Sequence, residues 1–165
     1  MTRLATEIYA SPLGAILLAA DDEGLTVLDF LKETPNSETG GENSALRAAR
    51  RWLDVYFSGR EPGFTPPLHL CGTPFRMEVW RLLLDIPYGE TTTYGALAKT
   101  LSARRGGSPM SAQAVGGAVG HNPVALIVPC HRVIGADGSL TGYASGLDKK
   151  AKLLALELEK NNLCR

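Results

Sequence analysis

Three short apolar runs near the N-terminus alternate with turn residues. The runs Glu7–Ala10, Ala15–Ala20 and Leu25–Leu31 are separated by Ser11-Pro12-Leu13-Gly14 and by Asp21-Asp22-Glu23-Gly24. Short apolar runs bounded by Gly, Pro and Asp are typical of strands joined by tight turns. This pattern predicts a small antiparallel meander.

A polar loop and an amphipathic helix follow these runs. Lys32–Asn43 combines proline and glycine with polar and acidic residues, which predicts a loop. Ser44 can cap a helix that runs from Ala45 to Phe57, before Ser58-Gly59 ends it. The apolar residues of that helix recur on one face: Leu46, Ala49, Leu53 and Phe57. The two patterns together predict an N-terminal unit of sheet plus helix.

A proline-rich segment separates this unit from the rest of the chain. Glu61–Pro67 holds three prolines and one glycine, and it predicts a connection between a structural domain at 1–66 and a second domain at 67–165. The overall expectation is an α/β fold of the α+β type. It combines the small N-terminal antiparallel sheet and helix with a mostly helical domain that contains a helix-turn-helix and one short active-site strand.

The second domain begins with a helix that starts at Thr73-Pro74, because proline costs nothing at the first helical position. The predicted helix extends from Pro74 to Ile86, and Pro87-Tyr88-Gly89-Glu90 turns the chain after it. Its apolar face consists of Phe75, Val79, Leu82, Leu83 and Ile86, with Trp80 at the flank.

Two shorter helices come next. Thr92 or Thr93 caps the first of them, Tyr94–Leu101, and Ser108-Pro109 starts the second, which Gly120 ends. A basic, glycine-containing loop, Ser102–Ser108, joins them. Two short helices and a turn in a basic stretch indicate a helix-turn-helix.

The last of these helices has few side chains. Gly116, Gly117 and Gly120 lie within five residues, and an interior glycine costs about 0.5–1 kcal/mol relative to alanine. A close approach of another group to the helix backbone would explain why these glycines are tolerated. Either the helix packs tightly on a neighbouring element, or its bare backbone lies against a ligand such as a narrow DNA groove.

An apolar run, Ala125–Val128, stands directly before Pro129-Cys130-His131-Arg132. The run predicts a buried strand, and Pro129 should end that strand because it has no backbone donor. A cysteine in apolar surroundings is inert, whereas a neighbouring base such as His131 favours the reactive thiolate. From the pair alone, a buried structural cysteine beside a satisfied histidine stays an open alternative.

The formal net charge is zero, but the charges are unevenly distributed. Residues Met1–Ala45 include two basic and eight acidic residues, whereas Thr91–Ala136 includes four basic residues and no acidic one. This asymmetry is typical of a phosphate-facing surface, and equally of a buried or catalytic stretch without room for carboxylates. So few cations predict weak, salt-sensitive binding to nucleic acid.

Composition excludes several classes of protein. With 44% hydrophobic and 21% charged residues among 165, the chain is typical of a globular protein and not of a disordered one. Its three cysteines, Cys71, Cys130 and Cys164, include no close pair, which argues against a disulfide framework and a cysteine-rich zinc site. No apolar stretch is long enough to cross a membrane and no signal peptide is recognisable, so we expect a cytoplasmic protein.

The sequence around Cys130 resembles a known signature. Pro129-Cys130-His131-Arg132-Val133, preceded by Gly120-His121-Asn122-Pro123 and followed by Gly142-Tyr143, is similar to the active-site motif of the O6-alkylguanine-DNA alkyltransferases. The resemblance extends from about Thr73 to Glu157. It implies repair of double-stranded DNA by irreversible, single-turnover transfer of the alkyl group from O6-alkylguanine to Cys130 after base flipping.

The same resemblance implies properties of the whole molecule. The expected protein is a monomer with no cofactor and no metal, and it binds DNA through the minor groove with little sequence preference. O4-alkylthymine is a second candidate substrate.

The resemblance also implies roles for single residues. Cys130 is the nucleophile, His131 acts as base through a bridging water, and Glu157 orients His131. Tyr94 displaces the phosphate beside the flipped base, and Asn122 ties the recognition helix to the active-site loop. The other implied substrate and DNA contacts are Gln113, Ala114, Gly117, Arg132, Val133, Tyr143, Ala144 and Ser145.

Two of these residues leave alternatives open. Glu157 lies beside an apolar stripe and is also compatible with a merely solvated glutamate; the stripe is Leu147, Ala151, Leu154 and Leu158. Gln113 stands where the family usually has an arginine that fills the gap left by the extruded base. Because glutamine is shorter and uncharged, we expect weaker DNA binding or slower repair of duplex DNA.

Two further departures from the family concern the basic loop and metal binding. Ser102–Ser108 is several residues longer than usual, and its Arg104 and Arg105 are candidate phosphate contacts. The zinc ligands of some relatives have no counterpart, because no cysteine precedes Cys71.

Other functions share parts of this pattern. A damage-binding module would have the same helix-turn-helix and pocket, but such relatives replace the cysteine and Cys130 is present. A thiol hydrolase would need turnover and an oxyanion hole, for which we find no separate signal. A regulator that senses its own alkylation would need a second DNA-binding domain, which we do not find in this sequence.

Overall fold

The structure is a computed structural model that describes residues 4–33 and 40–163, the last four by their backbone only. Cys164 and residues 34–39 of the predicted loop Lys32–Asn43 lie outside the described residues. The chain forms two compact units, Met1–Cys71 with Pro123–Ala125 and Gly72–Asn122 with Leu126–Arg165. A functional division between residues 66 and 67 stays a prediction.

The first unit is a three-stranded antiparallel sheet that packs against one helix. Its elements are β1 (Ala5–Ser11), β2 (Gly14–Ala20), β3 (Leu25–Phe30) and α1 (Ser44–Phe57). The strands pair in the order β1-β2-β3, which confirms the predicted meander. Leu18 of β2 and Leu53 of α1 are completely buried in its core, where each leucine contributes about 1.5–3 kcal/mol.

The cap of α1 differs from the prediction. Asn43, and not Ser44, is the capping residue: its side-chain oxygen accepts from the backbone N–H of Ala45 at 2.8 Å and of Leu46 at 3.2 Å. Asparagine caps as well as serine does. The Asn43 amide also donates to the Asp21 carbonyl at 3.0 Å, which fixes the side chain in the capping position.

The second unit is mostly helical. Its helices are α2 (Pro74–Leu84), α3 (Tyr94–Arg104), α4 (Ala112–Gly120) and α5 (Leu147–Leu163), and the short strands β4 (Thr92–Thr93) and β5 (Val133–Ile134) pair in parallel. Trp80, predicted at the flank of its helix, is buried, and its indole N–H donates to the Ala118 carbonyl at 2.9 Å. This bond holds α4 against α2. The α+β fold class is confirmed.

Helix boundaries in this unit differ by a few residues from those predicted. Thr73 and Thr93 cap α2 and α3, as the pattern indicated. α3 continues through Arg104, beyond the predicted end at Leu101, because serine, alanine and arginine tolerate a helix until the first glycine arrives. α4 begins late, because the hydroxyl of Ser111 accepts from the Ala114 N–H at 3.0 Å and caps the helix there.

The predicted buried strand at Ala125–Val128 is wrong. These residues are buried, but they form turns, and Leu126 has a φ of +69°, which no strand residue adopts. Cys130 therefore opens a 3-10 turn, Cys130–Arg132, instead of ending a strand. An apolar run does not by itself distinguish a strand from another buried segment. The short strand of this region, β5, follows the cysteine.

Two features of other protein classes are absent from the part of the chain that the structure describes. No three His, Cys, Asp or Glu side chains there come together in a way that could hold a metal ion. None of its helices combines the length and the apolar character needed to cross a bilayer.

Candidate active site

The residues that follow Cys130 belong to a buried cluster of charged side chains. His131, Arg132 and Glu157 are all buried. Glu157 accepts through Oε2 from His131 Nε2, and through Oε1 from Arg132 Nε at 2.7 Å and from the Gly89 N–H at 3.0 Å. Arg132 also donates to the Ile86 carbonyl at 2.7 Å. The Glu157 carboxylate is thus the centre on which three donors converge.

Glu157 is ionised in this cluster. Burial alone would raise the pKa of its carboxyl group. The hydrogen bond from His131, the positive charge of Arg132 and the N–H of Gly89 outweigh burial and lower that pKa to about 2. A buried charge persists only when it is paired and hydrogen-bonded, and both conditions are met here.

His131 is neutral and has a fixed tautomer. Complete burial lowers the pKa of its imidazole, although the hydrogen bond with Glu157 opposes this shift. An ionised carboxylate can only accept, so the imidazole nitrogen that faces Glu157, Nε2, carries the proton. The lone pair of His131 is then on Nδ1. The imidazole is therefore oriented by Glu157 and prepared to act as a general base.

The interpretation of Glu157 as a solvated glutamate is wrong. Glu157 is 1% exposed, whereas Leu147 and Leu158 of the predicted apolar stripe are 46% and 54% exposed. The buried face of α5 consists instead of Lys150, Leu153 and Glu157, which follow helical spacing. Two of these three residues are charged, so the apolar stripe did not identify the buried face of the helix.

Lys150 is part of this site, and sequence reasoning missed it. Its side chain is completely buried, and Nζ donates to the Val133 carbonyl at 2.6 Å and to the Thr141 carbonyl at 2.8 Å. Burial lowers the pKa of its ammonium group, while negative charge at Cys130 raises it. A Cys130 thiolate and the Lys150 ammonium therefore stabilise each other. The one available signal was its position two helical turns before Glu157.

An open cavity of about 650 Å³ lies between α4 and the segment 141–144. Tyr94, Gln113, Tyr143 and Ala144 line it, and the Tyr94 hydroxyl donates to the Thr141 carbonyl at 3.0 Å. Burial raises the pKa of the Tyr94 phenol, so it stays protonated at neutral pH. The volume is within the range of small-molecule sites and is large enough for one nucleobase.

The surface of α4 is bare for a reason other than internal packing. A Cβ atom at Gly116 would lie 3.7 Å from the Tyr94 ring, but at Gly117 and Gly120 no atom of the described residues would be within 4 Å. Two of the three glycines therefore border open space, Gly120 at the cavity and Gly117 outside its lining. Ala114 and Gly117 are exposed on this helix and do not line the cavity.

The remaining predicted residues have mainly internal contacts. The Asn122 amide donates to the Val128 carbonyl at 2.7 Å and so joins the end of α4 to the turn before Cys130. The Val133 N–H donates to the Cys130 carbonyl, while its own carbonyl accepts from Lys150. Ser145 is half-buried and lies outside the cavity lining.

The two arginines predicted as phosphate contacts differ in their contacts within the protein. Arg105 donates to the Glu78 carboxylate, and its guanidinium lies 5.5 Å from the centre of the Phe75 ring. It is therefore already paired within the protein, and its role as a phosphate contact stays a prediction. Arg104 is exposed at the end of α3.

Comparison with known proteins gives consistent matches along the chain. Residues 4–70 match the family model described as 6-O-methylguanine DNA methyltransferase, ribonuclease-like domain, and residues 74–159 match the DNA binding domain of the same description. The methylated-DNA–protein-cysteine methyltransferase of Methanosarcina acetivorans is 50% identical over 91% of this chain and 96% of its own length. The corresponding protein of Mycobacterium leprae is 47% identical over 89% of this chain and 88% of its own length.

Solved structures agree with the sequence matches. The crystal structure of Mycobacterium tuberculosis O6-methylguanine methyltransferase is 42% identical, with a TM-score of 0.82 over 96% of this chain and 94% of that chain. The crystal structure of Mycobacterium tuberculosis OGT in complex with DNA is 44% identical, with a TM-score of 0.79 over 93% of this chain and 92% of that chain. This chain therefore belongs to the 6-O-methylguanine DNA methyltransferase family.

Proposed function

We propose that this chain repairs DNA by transferring an alkyl group from O6 of guanine to its own Cys130. The observation that carries the proposal is that His131 and Arg132, which directly follow the cysteine, both hydrogen-bond to Glu157 of α5. Family membership supports the same reaction, since the relatives are named methylated-DNA–protein-cysteine methyltransferases.

The chemistry proceeds by displacement at the alkyl carbon. Cys130 gives its proton to Nδ1 of His131 through a bridging water, and Glu157 stabilises the imidazolium that forms. The thiolate, stabilised by Lys150, attacks the alkyl carbon. A carbon–sulfur bond forms as the carbon–oxygen bond breaks, and its electron pair goes to O6 of guanine. The guanine anion takes up a proton from solvent, and His131 returns the Cys130 proton to solvent. The product is a thioether, which no group in the site hydrolyses, so each molecule acts once.

The substrate base enters the cavity beside α4. The alkyl group is inside the DNA stack, so the nucleotide has to rotate out before a thiolate reaches it. Cys130 is only 8% exposed, which favours delivery of a single extruded base over attack on intact duplex. Tyr94, Tyr143 and Ala144 line the receiving cavity. The backbone at Ala144 reads the guanine edge, together with that of Cys130 and Ser145, which lie outside the lining.

The bare surface of α4 is the proposed DNA contact. The minor groove is about 6 Å wide and admits a helix surface without large side chains better than a bulky one. Gly117 supplies such a surface, and Ala114 lies beside it. Lys99 and Arg104, which are exposed within the acid-free stretch Thr91–Ala136, face the phosphates, and this contact makes binding salt-sensitive and independent of sequence.

Three further properties belong to the proposal. The protein acts as a monomer, and it works in the cytoplasm, where thiols stay reduced. O4-alkylthymine is a second candidate substrate.

Titration of the protein with a duplex that contains labelled O6-methylguanine is expected to transfer one methyl group per molecule and then stop. The reason is that the thioether product is stable. Transferred label is counted on the protein after denaturation. Label released to solution with continued turnover would indicate a thiol hydrolase, and binding of the duplex without transfer would indicate a damage-binding module.

Gln113→Arg is expected to increase both duplex affinity and the duplex repair rate by about tenfold, because a guanidinium can stack in the gap left by the flipped base. Reaction with free O6-methylguanine base is expected to stay unchanged. Gln113→Lys is the matched control, because it adds the charge without the planar group. Duplex kinetics in Gln113→Arg that equal those of the unaltered chain would contradict the role given to this position.

A further inference from the structure

The first unit contains a second cysteine–histidine–carboxylate arrangement, which the proposed transfer does not use. The sulfur of Cys71 lies 3.7 Å from Nε2 of His69, and Nδ1 of His69 lies 2.6 Å from Oδ2 of Asp21. A nucleophile, an imidazole and a carboxylate in this order are the components of an activated thiol. Cys71 is exposed, so a dissolved reagent can reach it, in contrast to the buried Cys130.

Hydrogen bonds fix the histidine and the carboxylate before any reagent arrives. The backbone N–H of His69 donates to the Leu25 carbonyl at 2.9 Å. Oδ1 of the buried Asp21 accepts from the backbone N–H groups of Glu23 at 2.9 Å and Gly24 at 3.1 Å, which leaves Oδ2 for the imidazole. Both residues are therefore held by backbone contacts, unlike a chance encounter of surface side chains.

The charges around His69 favour its protonated form. The hydrogen bond with Asp21 raises the pKa of the imidazole, and the negative charges of Asp21 and Glu23 raise it further, against the effect of burial. The Glu23 carboxylate lies 3.1 Å from Nε2 and is the other charged group that faces the ring. An imidazolium next to a thiol stabilises the thiolate, which is the nucleophilic form, while Glu23 opposes this effect.

We propose that Asp21, His69 and Cys71 form a second nucleophilic site that exchanges with low-molecular-weight disulfides. Cys71 releases its proton to solvent, and the thiolate, which lies beside the His69 imidazolium, attacks one sulfur of the disulfide. A new sulfur–sulfur bond to Cys71 forms while the original one breaks, and the departing thiolate takes up a proton from solvent. The Cys71 sulfur is oxidised as the departing sulfur is reduced, so the exchange balances without another reagent.

The test uses the full chain with Cys130→Ser and Cys164→Ser, in which Cys71 is the remaining cysteine. Incubation with glutathione disulfide is expected to give a mixed disulfide, whose formation is followed by intact-protein mass. The exchange rate is expected to exceed, by about tenfold, that of a synthetic peptide of residues 66–74, which contains His69 and Cys71 but lacks Asp21. A protein that reacts no faster than the peptide would overturn the proposal.

Variants in the same background distinguish the effect of the Asp21–His69 pair from that of any nearby charge. His69→Asn and Asp21→Asn are each expected to reduce the exchange rate about tenfold. Glu23→Gln is the matched control, because it removes a carboxylate from the same ring and is expected to leave the rate at least as high. An unchanged rate in His69→Asn, or an equal loss of rate in Glu23→Gln, would refute activation of Cys71 by the Asp21–His69 pair. Melting temperatures identify a variant that fails to fold, and the peptide comparison then decides.

Discussion

Glu157→Gln is expected to slow methyl transfer by about 10²–10⁴-fold and to lower the free energy of unfolding by about 3–5 kcal/mol. Glutamine keeps the shape of the side chain but removes the charge that orients His131 and neutralises Arg132. Arg132 then stays buried without its counter-ion. The imidazolium formed during the reaction loses its stabilising carboxylate as well.

Single-turnover kinetics and urea unfolding measure these two losses. Glu159→Gln is the matched control, because Glu159 is exposed on the same helix and should change the unfolding free energy by less than about 0.5 kcal/mol. Equal rates and equal stability for Glu157→Gln and the unaltered chain would contradict the assignment of Glu157 as the centre of the site.

The difference in unfolding free energy between the unaltered chain and Glu157→Gln should depend on pH. The pKa of Glu157 is about 2 in the folded state and 4.5 ordinarily. Its contribution is therefore complete above pH 4.5 and is lost as the pH falls towards 2. The lowered pKa of His131 adds a loss in both chains that begins below its ordinary value of 6.5. The gap between the chains is expected to narrow in acid.

Lys150→Met is the substitution with the second largest expected effect. Methionine fills a similar volume but donates nothing, so the Val133 carbonyl loses a buried hydrogen bond, whereas the Thr141 carbonyl keeps the one from the Tyr94 hydroxyl. Loss of the buried bond costs about 1–3 kcal/mol. Loss of the ammonium charge that interacts with Cys130 also makes the thiolate less favourable, and transfer is expected to slow by at least about tenfold.

Transfer rates at several pH values distinguish this role from a purely structural one. Because the thiolate becomes harder to form in Lys150→Met, alkaline pH is expected to restore part of the lost rate. Lys152→Met, at an exposed position of the same helix, serves as control and should leave rate and stability unaltered. A Lys150→Met chain that loses stability but repairs at the normal rate would refute the electrostatic role.

Local patterns were sufficient to predict much of the fold. The meander, the helix on it and the caps Thr73 and Thr93 follow from turn residues, helical spacing and short polar side chains, all of which act within a few residues. The run before Cys130 could not be predicted in this way. Its conformation depends on contacts outside the run, such as the Asn122 amide that donates to the Val128 carbonyl, and on the positive φ of Leu126.

The active site was predicted in part, and for a different reason. Cys130 and His131 stand in a motif, so a resemblance was enough to indicate their chemistry. The only signal for Lys150 was its helical spacing from Glu157, because burial of a lysine becomes favourable only when two carbonyls from separate segments converge on it. The same applies to the buried face of α5, where two charged residues occupy positions that a hydrophobic pattern assigns to solvent.

The most direct test of the account is the intact mass of the protein after incubation with an equimolar duplex containing O6-methylguanine, followed by peptide mapping. The expected result is the mass of one added methyl group, located on Cys130, and no addition in Cys130→Ala. A methyl group found on Cys71 or on another residue, or a duplex that stays bound while the protein mass is unchanged, would contradict transfer to Cys130.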